Sequence, residues 1–113
     1  MPDDRQVIAY KNYFLDFYEK QPENVQTKIE WTLNLIQVTQ YIPEKYFKHL
    51  EGTNGLYEIR VEVGRNIYRI FSFFDKGNLV VLGNAFHKKS QKTPKQELEK
   101  ALKIMEEYQN ENK

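Results

Sequence analysis

An α+β domain is the fold class that this chain of 113 residues predicts. Two stretches, residues 13–40 and the segment after residue 94, carry apolar side chains at helical spacing. Between them, residues 56–86 form short runs rich in Val, Ile, Tyr and Phe, separated at hairpin lengths by Gly64-Arg65-Asn66 and Asp75-Lys76-Gly77. Helices followed by a run of strands, rather than strict alternation, predict an antiparallel meander sheet with two N-terminal helices on one face and a C-terminal helix. The expected order is β-α-α-β-β-β-α, in a single domain spanning residues 1–113.

Val7-Ile8-Ala9-Tyr10 is a short apolar run suited to a first strand. Asn12 is placed to cap a helix whose rings Tyr13, Phe14, Phe17 and Tyr18 fall three and four residues apart. Pro22 suits the first turn of a second helix, running to about Gln40 with Val25, Ile29, Leu33 and Ile36 as its stripe. The Ile42-Pro43 step closes it, because the residue before proline avoids the helical region. A loop containing Lys48 and His49 precedes the strands Leu56–Val63, Ile67–Phe74 and Asn78–Phe86. Thr93-Pro94-Lys95-Gln96 reads as a helix start, with Thr93 as cap and Gln96 completing a capping box. Leu98, Ala101, Leu102, Met105 and Tyr108 supply the last buried stripe.

Forty per cent apolar and 14% aromatic residues favour a folded core over disorder. The absence of cysteine excludes disulfides and thiolate metal sites, and two histidines are too few for a histidine-rich one. No metal and no cofactor are expected. No apolar run approaches the roughly 20 residues of a membrane span, and the N-terminus lacks a signal-peptide core; a soluble, cytoplasmic protein is expected. The net charge of +1 hides a strong asymmetry. Residues 48–95 hold nine basic and four acidic side chains, against five and seven before them and three and five after. A local positive field of that kind attracts anionic partners.

Alternation along the strands assigns faces. Tyr57, Ile59, Val61 and Val63 form the apolar set that should meet the helices, leaving Glu58, Arg60 and Glu62 on an open face. Arg69 interrupts an otherwise apolar strand and is expected to share that face with Arg60. A cross-strand network with Glu58 and Glu62 that only solvates the sheet is the plainer reading. The sharper one is a phosphate site, because guanidinium groups hold phosphate oxygens bidentately. Convergence of Arg60, Arg69 and His87 is its geometric requirement.

These residues also carry a family resemblance. Gly55-Leu56-Tyr57-Glu58-Ile59-Arg60-Val61, followed by Tyr68-Arg69-Ile70-Phe71, resembles the strand pair of the RelE/ParE toxin superfamily. Ala85-Phe86-His87-Lys88-Lys89-Ser90-Gln91-Lys92-Thr93-Pro94 is similar to the signature of its phage-derived, HigB-like branch. The resemblance implies a RelE-like fold and a toxin of a type II toxin–antitoxin system. It also implies ribosome-dependent, metal-independent cleavage of mRNA by 2′-hydroxyl attack, giving a 2′,3′-cyclic phosphate and arresting translation. By the same resemblance, Arg60, Arg69, His87 and Lys88 are the catalytic candidates, and Lys48, His49, Lys89 and Lys92 the RNA-binding ones. His87 is placed as general acid or base. Glu58 stands where RelE carries a lysine, and Tyr108 fits a core position better than a catalytic one.

The implied partners are a cognate antitoxin, often a helix-turn-helix protein in this branch, together with the ribosome and mRNA. Two other readings stay open on the same fold: a ParE-like inhibitor of DNA gyrase, and an inactive member acting only as antitoxin-binding co-repressor.

Overall fold

The computed structural model describes residues 4–112. Strand β1 (Gln6–Ala9) leads into helices α1 (Tyr13–Glu19) and α2 (Glu23–Val38). Strands β2 (Phe47–His49), β3 (Leu56–Val63), β4 (Asn66–Asp75) and β5 (Leu79–Lys88) follow, and helix α3 (Lys95–Glu111) ends the chain. One sheet holds all five strands in the order β1-β5-β4-β3-β2. The meander β2-β3-β4-β5 is antiparallel, whereas β1 pairs in parallel with β5. The α1–α2 crossover therefore carries the chain from one sheet edge to the other.

The expected strands and helices are present within one or two residues, with one addition. Residues 47–49, expected in a loop, form the edge strand β2 against residues 57–59 of β3. Gly64 takes φ +60°, the conformation that the first position of the tight β3–β4 turn requires and that glycine adopts without strain. Helix α2 stops at Val38, and Thr39 is already extended. Two of its last carbonyls are not orphaned: the Arg5 guanidinium donates to that of Ile36 (3.1 Å) and the Arg5 backbone N–H to that of Gln37 (3.0 Å). A cation at a helix C-terminus also complements the dipole.

The sheet is covered on both sides. On one side α1 and α2 bury Phe14, Val25, Ile29 and Ile36 against Ile59, Val61, Tyr68 and Ile70. On the other, α3 buries Ala101, Ile104, Met105 and Tyr108 against Leu56, Phe71, Phe73 and Val81. The face expected to be open is thus open only beyond the start of α3, and this corrects the parity reading. The apolar sets on both sides of β4 required a second helical layer. Gly83 lies under this helix, where an added Cβ would stand 3.5 Å from Ile104.

Phenol–carboxylate bonds fasten α3 to the rest of the molecule. Tyr10 donates to Glu111 (2.6 Å), Tyr13 to Glu107 (2.9 Å) and Tyr108 to Asp75 (2.6 Å). Lys11 bridges Glu107 at 2.8 Å and Glu111 at 3.2 Å. Burial and the bond to Glu111 push the Tyr10 phenol up to about 12. The bond to Asp75, then burial, pushes Tyr108 up to about 12 as well.

An acid whose pKa is raised by folding stabilises the protein below its unfolded pKa and ceases to do so above the folded one. Stability should therefore hold up to about pH 10, the ordinary tyrosine value, and fall towards pH 12. Denaturant midpoints measured across that window should drop in the parent and drop less in a Tyr10→Phe/Tyr108→Phe double variant. Part of the loss remains in the variant, because Lys11 is also held above the ordinary lysine range by its bonds to Glu107 and Glu111. Equal slopes for the two proteins would show that these phenols do not fasten the helix.

Candidate functional site

Register, not sequence position, builds the site. Arg60 and Arg69 are direct cross-strand partners on β3 and β4, so both point to the α3 side of the sheet. Two cations opposite each other repel unless an anion intervenes. Glu58 is that anion. Two residues before Arg60 and on the same face, it is 2% exposed. Its Oε1 lies 3.4 Å from Arg60 Nε and 3.2 Å from Arg69 Nε. Its Oε2 accepts a hydrogen bond from the Thr93 hydroxyl at 2.9 Å.

Thr93 was expected to cap α3 and does not: Pro94 occupies the cap position, with no side-chain cap bond. The hydroxyl is turned onto the buried carboxylate, where its worth is greater than at an exposed helix end. Asn12 likewise makes no capping bond to α1. The cross-strand network of Arg60 and Arg69 with Glu58, expected from the parity of the strand, is present; the bond from Thr93 to the carboxylate was not expected.

Arg69 is 6% exposed, and Phe86 is its cross-strand neighbour on β5. Burial holds its guanidinium below the ordinary arginine range, against the pull of the Glu58 charge. Its Nη1 donates to the Tyr68 carbonyl at 3.3 Å. The Nε contact to Glu58 is an ion pair, its N–H not being aimed for a hydrogen bond. Arg60 is more open, with 28% of its side chain exposed. Its terminal nitrogens have no protein acceptor among the described residues.

The partner of the arginines on the last strand is Lys88, not His87. Residue 87 pairs with Tyr68 and residue 88 with Ile67, which places His87 on the helix α1–α2 side. There its ring stacks on Tyr68, with centroids 4.7 Å apart and planes at 22°. Convergence of His87 with Arg60 and Arg69 is therefore not met, so the phosphate reading as drawn from the sequence fails at His87 and stands only with Lys88 in its place. The cause is a β-bulge between β4 and β5, where the register shifts between Ile70 and Ser72. Val81 packs under α3. Without the extra residue, strict alternation from Val81 would have carried His87 to that same side. The bulge inverts the parity and presents Phe86 and Lys88 instead.

Lys88 is partly buried, and its ammonium is held below the ordinary lysine range. Desolvation is the main cause, followed by the nearby charge of Arg69; Glu58 opposes them and Arg60 adds to them. Three cations thus gather at one buried carboxylate, with the exposed Glu62 also on that face.

The remaining basic candidates surround this point unevenly. Lys48 and His49 are exposed on β2 rather than in a loop, and register separates them. Lys48 pairs with Glu58 and shares the arginine face, whereas His49 pairs with Tyr57 and packs edge-on to its ring at 5.2 Å. Lys89 and Lys92 are exposed in the segment between β5 and α3. Among the described residues, no group of three or more His, Asp or Glu side chains is placed to hold a metal ion. No described helix is long and apolar enough to cross a membrane.

Chemically, the arrangement offers N–H donors and positive charge at a partly desolvated patch of the sheet, which suits an anionic group such as a phosphodiester. Comparison with known proteins agrees with this fold. A chain of the crystal structure of the archaeal RelE–RelB complex from Pyrococcus horikoshii OT3 superposes with a TM-score of 0.56 at 17% identity. The match covers 74% of this chain and 94% of that one. No curated protein matches the chain in sequence. The family described as "Phage derived protein Gp49-like (DUF891)" matches residues 16–106. This chain therefore belongs to the phage-derived, Gp49-like family, and its fold is RelE-like.

Proposed function

We propose that the chain is the toxin of a type II toxin–antitoxin system and cleaves mRNA on the ribosome without a metal. The observation that carries this reading is the Glu58-held pair Arg60 and Arg69 with Lys88 on the same sheet face. In such a cleavage the ribose 2′-oxygen, its proton passing to water, attacks the adjacent phosphorus while the bond to the 5′-oxygen breaks and that oxygen takes up a proton. The products are a 2′,3′-cyclic phosphate and a 5′-hydroxyl end. Negative charge builds on the non-bridging oxygens and on the departing 5′-oxygen.

Arg69, fixed by burial, and Arg60, at the rim, hold the non-bridging oxygens as charge develops. Lys88 stands beside the departing oxygen; its loosened proton makes it a better acid there than an ordinary lysine. Glu58 positions both guanidinium groups rather than touching RNA, since both its oxygens are already engaged. Lys48, Lys89 and Lys92 meet flanking phosphates. His87 falls outside this centre because it faces the other side of the sheet. The expected protein partner is an antitoxin, the relationship named for the solved RelE–RelB complex.

Removing one donor to a developing oxyanion lowers turnover by about 100- to 1,000-fold. Arg60→Ala should do so in a ribosome-programmed cleavage assay with little loss of stability, because the side chain is at the rim. His87→Ala should keep most of the parent activity. Parent-level cleavage by Arg60→Ala, or its loss in a folded His87→Ala, would overturn this assignment. Transcript ends mapped after induction provide the broader test. New 5′ ends within translated codons are expected; DNA-damage signalling without them would favour gyrase inhibition.

If Lys88 acts in its protonated form, cleavage should fall as pH rises through its depressed pKa. Lys88→Arg should remove that alkaline limb, because arginine stays charged throughout the accessible range. A limb at the same pH in both proteins would assign it elsewhere. Glu58→Gln keeps the shape but leaves two cations unpaired. Breaking a buried pair costs about 3–5 kcal/mol, so the variant should show a much lower denaturant midpoint together with reduced cleavage. An unchanged midpoint would mean that the carboxylate does not organise the arginines.

A further inference from the structure

Past its last pair with β2, the edge of β3 runs between two adjoining grooves. The smaller, about 230 Å³, is lined by Lys28, Lys45, Tyr46, Arg60 and Glu62. The larger, about 360 Å³, shares Lys28 and Glu62 with it and reaches Trp31 on α2. Trp31 is 47% exposed, although a tryptophan of this size usually finds cover. Its ring meets Tyr46 edge-on at 5.6 Å. Lys28 holds its ammonium 4.3 Å from the Trp31 centroid, and Lys45 lies 5.3 Å from that of Tyr46. The grooves thus combine a half-exposed indole and a tyrosine ring, each with a lysine ammonium over one face, with the cation of Arg60, against the single carboxylate of Glu62. Arg60 is common to this edge and to the Glu58 cluster.

We propose that this double groove binds the single-stranded RNA nucleotides flanking the scissile phosphate, one base stacking on Trp31 and the backbone following Lys28, Lys45 and Arg60. The proposal rests on the ribonuclease reading for its direction, since Arg60 is where the groove meets the reactive site. Only unpaired bases expose a ring face to an aromatic side chain, so the ligand is single-stranded rather than duplex. The cations follow its phosphates, and their spacing along the edge tolerates any base order. Continuity with Arg60 favours RNA over a protein segment, because a strand laid in the groove arrives at the arginine pair.

Trp31 is the only tryptophan in the chain, so its emission reports on its own ring. The test titrates the full chain with an end-labelled hexanucleotide RNA whose 2′-oxygens are methylated, which prevents cleavage. Saturable quenching of Trp31 is expected, with the same midpoint as the anisotropy of the label, and none with the matching duplex. Trp31→Ala should weaken binding about tenfold, as loss of one base–aromatic stack does, and Trp31→Phe should restore most of it. Lys28→Ala/Lys45→Ala should weaken binding and flatten the salt dependence by about 0.7 in the log–log slope for each phosphate left without its lysine.

RNA bound without quenching, absence of RNA binding, or Trp31→Ala binding as the parent does would each overturn the proposal. So would quenching produced by an antitoxin but not by RNA. Cleavage is read separately with Lys88→Ala, which should lose activity yet keep the quench. Quenching by a parent protein that never cleaves would sink the nuclease reading and leave the groove standing. Full cleavage by the groove variants would do the reverse.

Discussion

Burial of a single carboxylate beneath two guanidinium groups is the constraint on which this end of the molecule depends. Arg60 and Arg69 occupy directly paired positions, an arrangement that repulsion alone would open. Glu58 removes the repulsion by offering one oxygen to both, and Thr93 satisfies its other oxygen. The two buried groups, Glu58 and Arg69, would each be costly in that position without the other. Because Thr93 lies two residues before α3, the same carboxylate ties the central strands to the entry of the helix that roofs them. The site and the packing of α3 are therefore coupled. A change at Glu58 is felt both as misplaced charge and as a loosened helix start.

Much of this was legible in the residues, and what was not has particular physical causes. Alternation along residues 57–63 correctly separated the apolar set from Glu58 and Arg60, because the period of two survives in an unbroken strand. The helices α2 and α3 were legible from their stripes. The residues at which they begin were less so, since Asn12 and Thr93 have the capping chemistry but no capping bond. Edge strand β2 is three residues long, too short for any periodic signal.

The error with the largest consequence was His87. A bulge is one residue of slippage, set by the fit of Gly83 and Asn84 under α3, where the Asn84 amide donates to the carbonyl of Glu97 at 3.1 Å. Gly83, an isolated glycine inside the strand, is the one sign of it in the sequence. Yet the bulge decides whether a histidine or a lysine stands beside the arginines.

The charge balance bears on the two readings with which the sequence began. A network that served only to tie strands together would tend towards neutrality, each buried cation matched by an anion. Here Arg60, Arg69 and Lys88 gather at one buried carboxylate, and the nearest further acid on that face, Glu62, is exposed. The excess has a measurable consequence, for the Lys88 proton is held less tightly through desolvation and the field of Arg69. Folding gains nothing from keeping a partly buried ammonium beside two guanidinium groups. An anion entering from solvent would relieve that repulsion, and most fully a phosphodiester at the moment its oxygens gain charge. Local conflicts of this kind, on a fold otherwise consistent at every level, are where function is expected to lie. The same reasoning assigns different duties to the two arginines. Under the proposed cleavage, Arg69, immobilised by burial, would set where the phosphate sits, while Arg60, with 28% of its side chain exposed, would follow the ligand as it arrives.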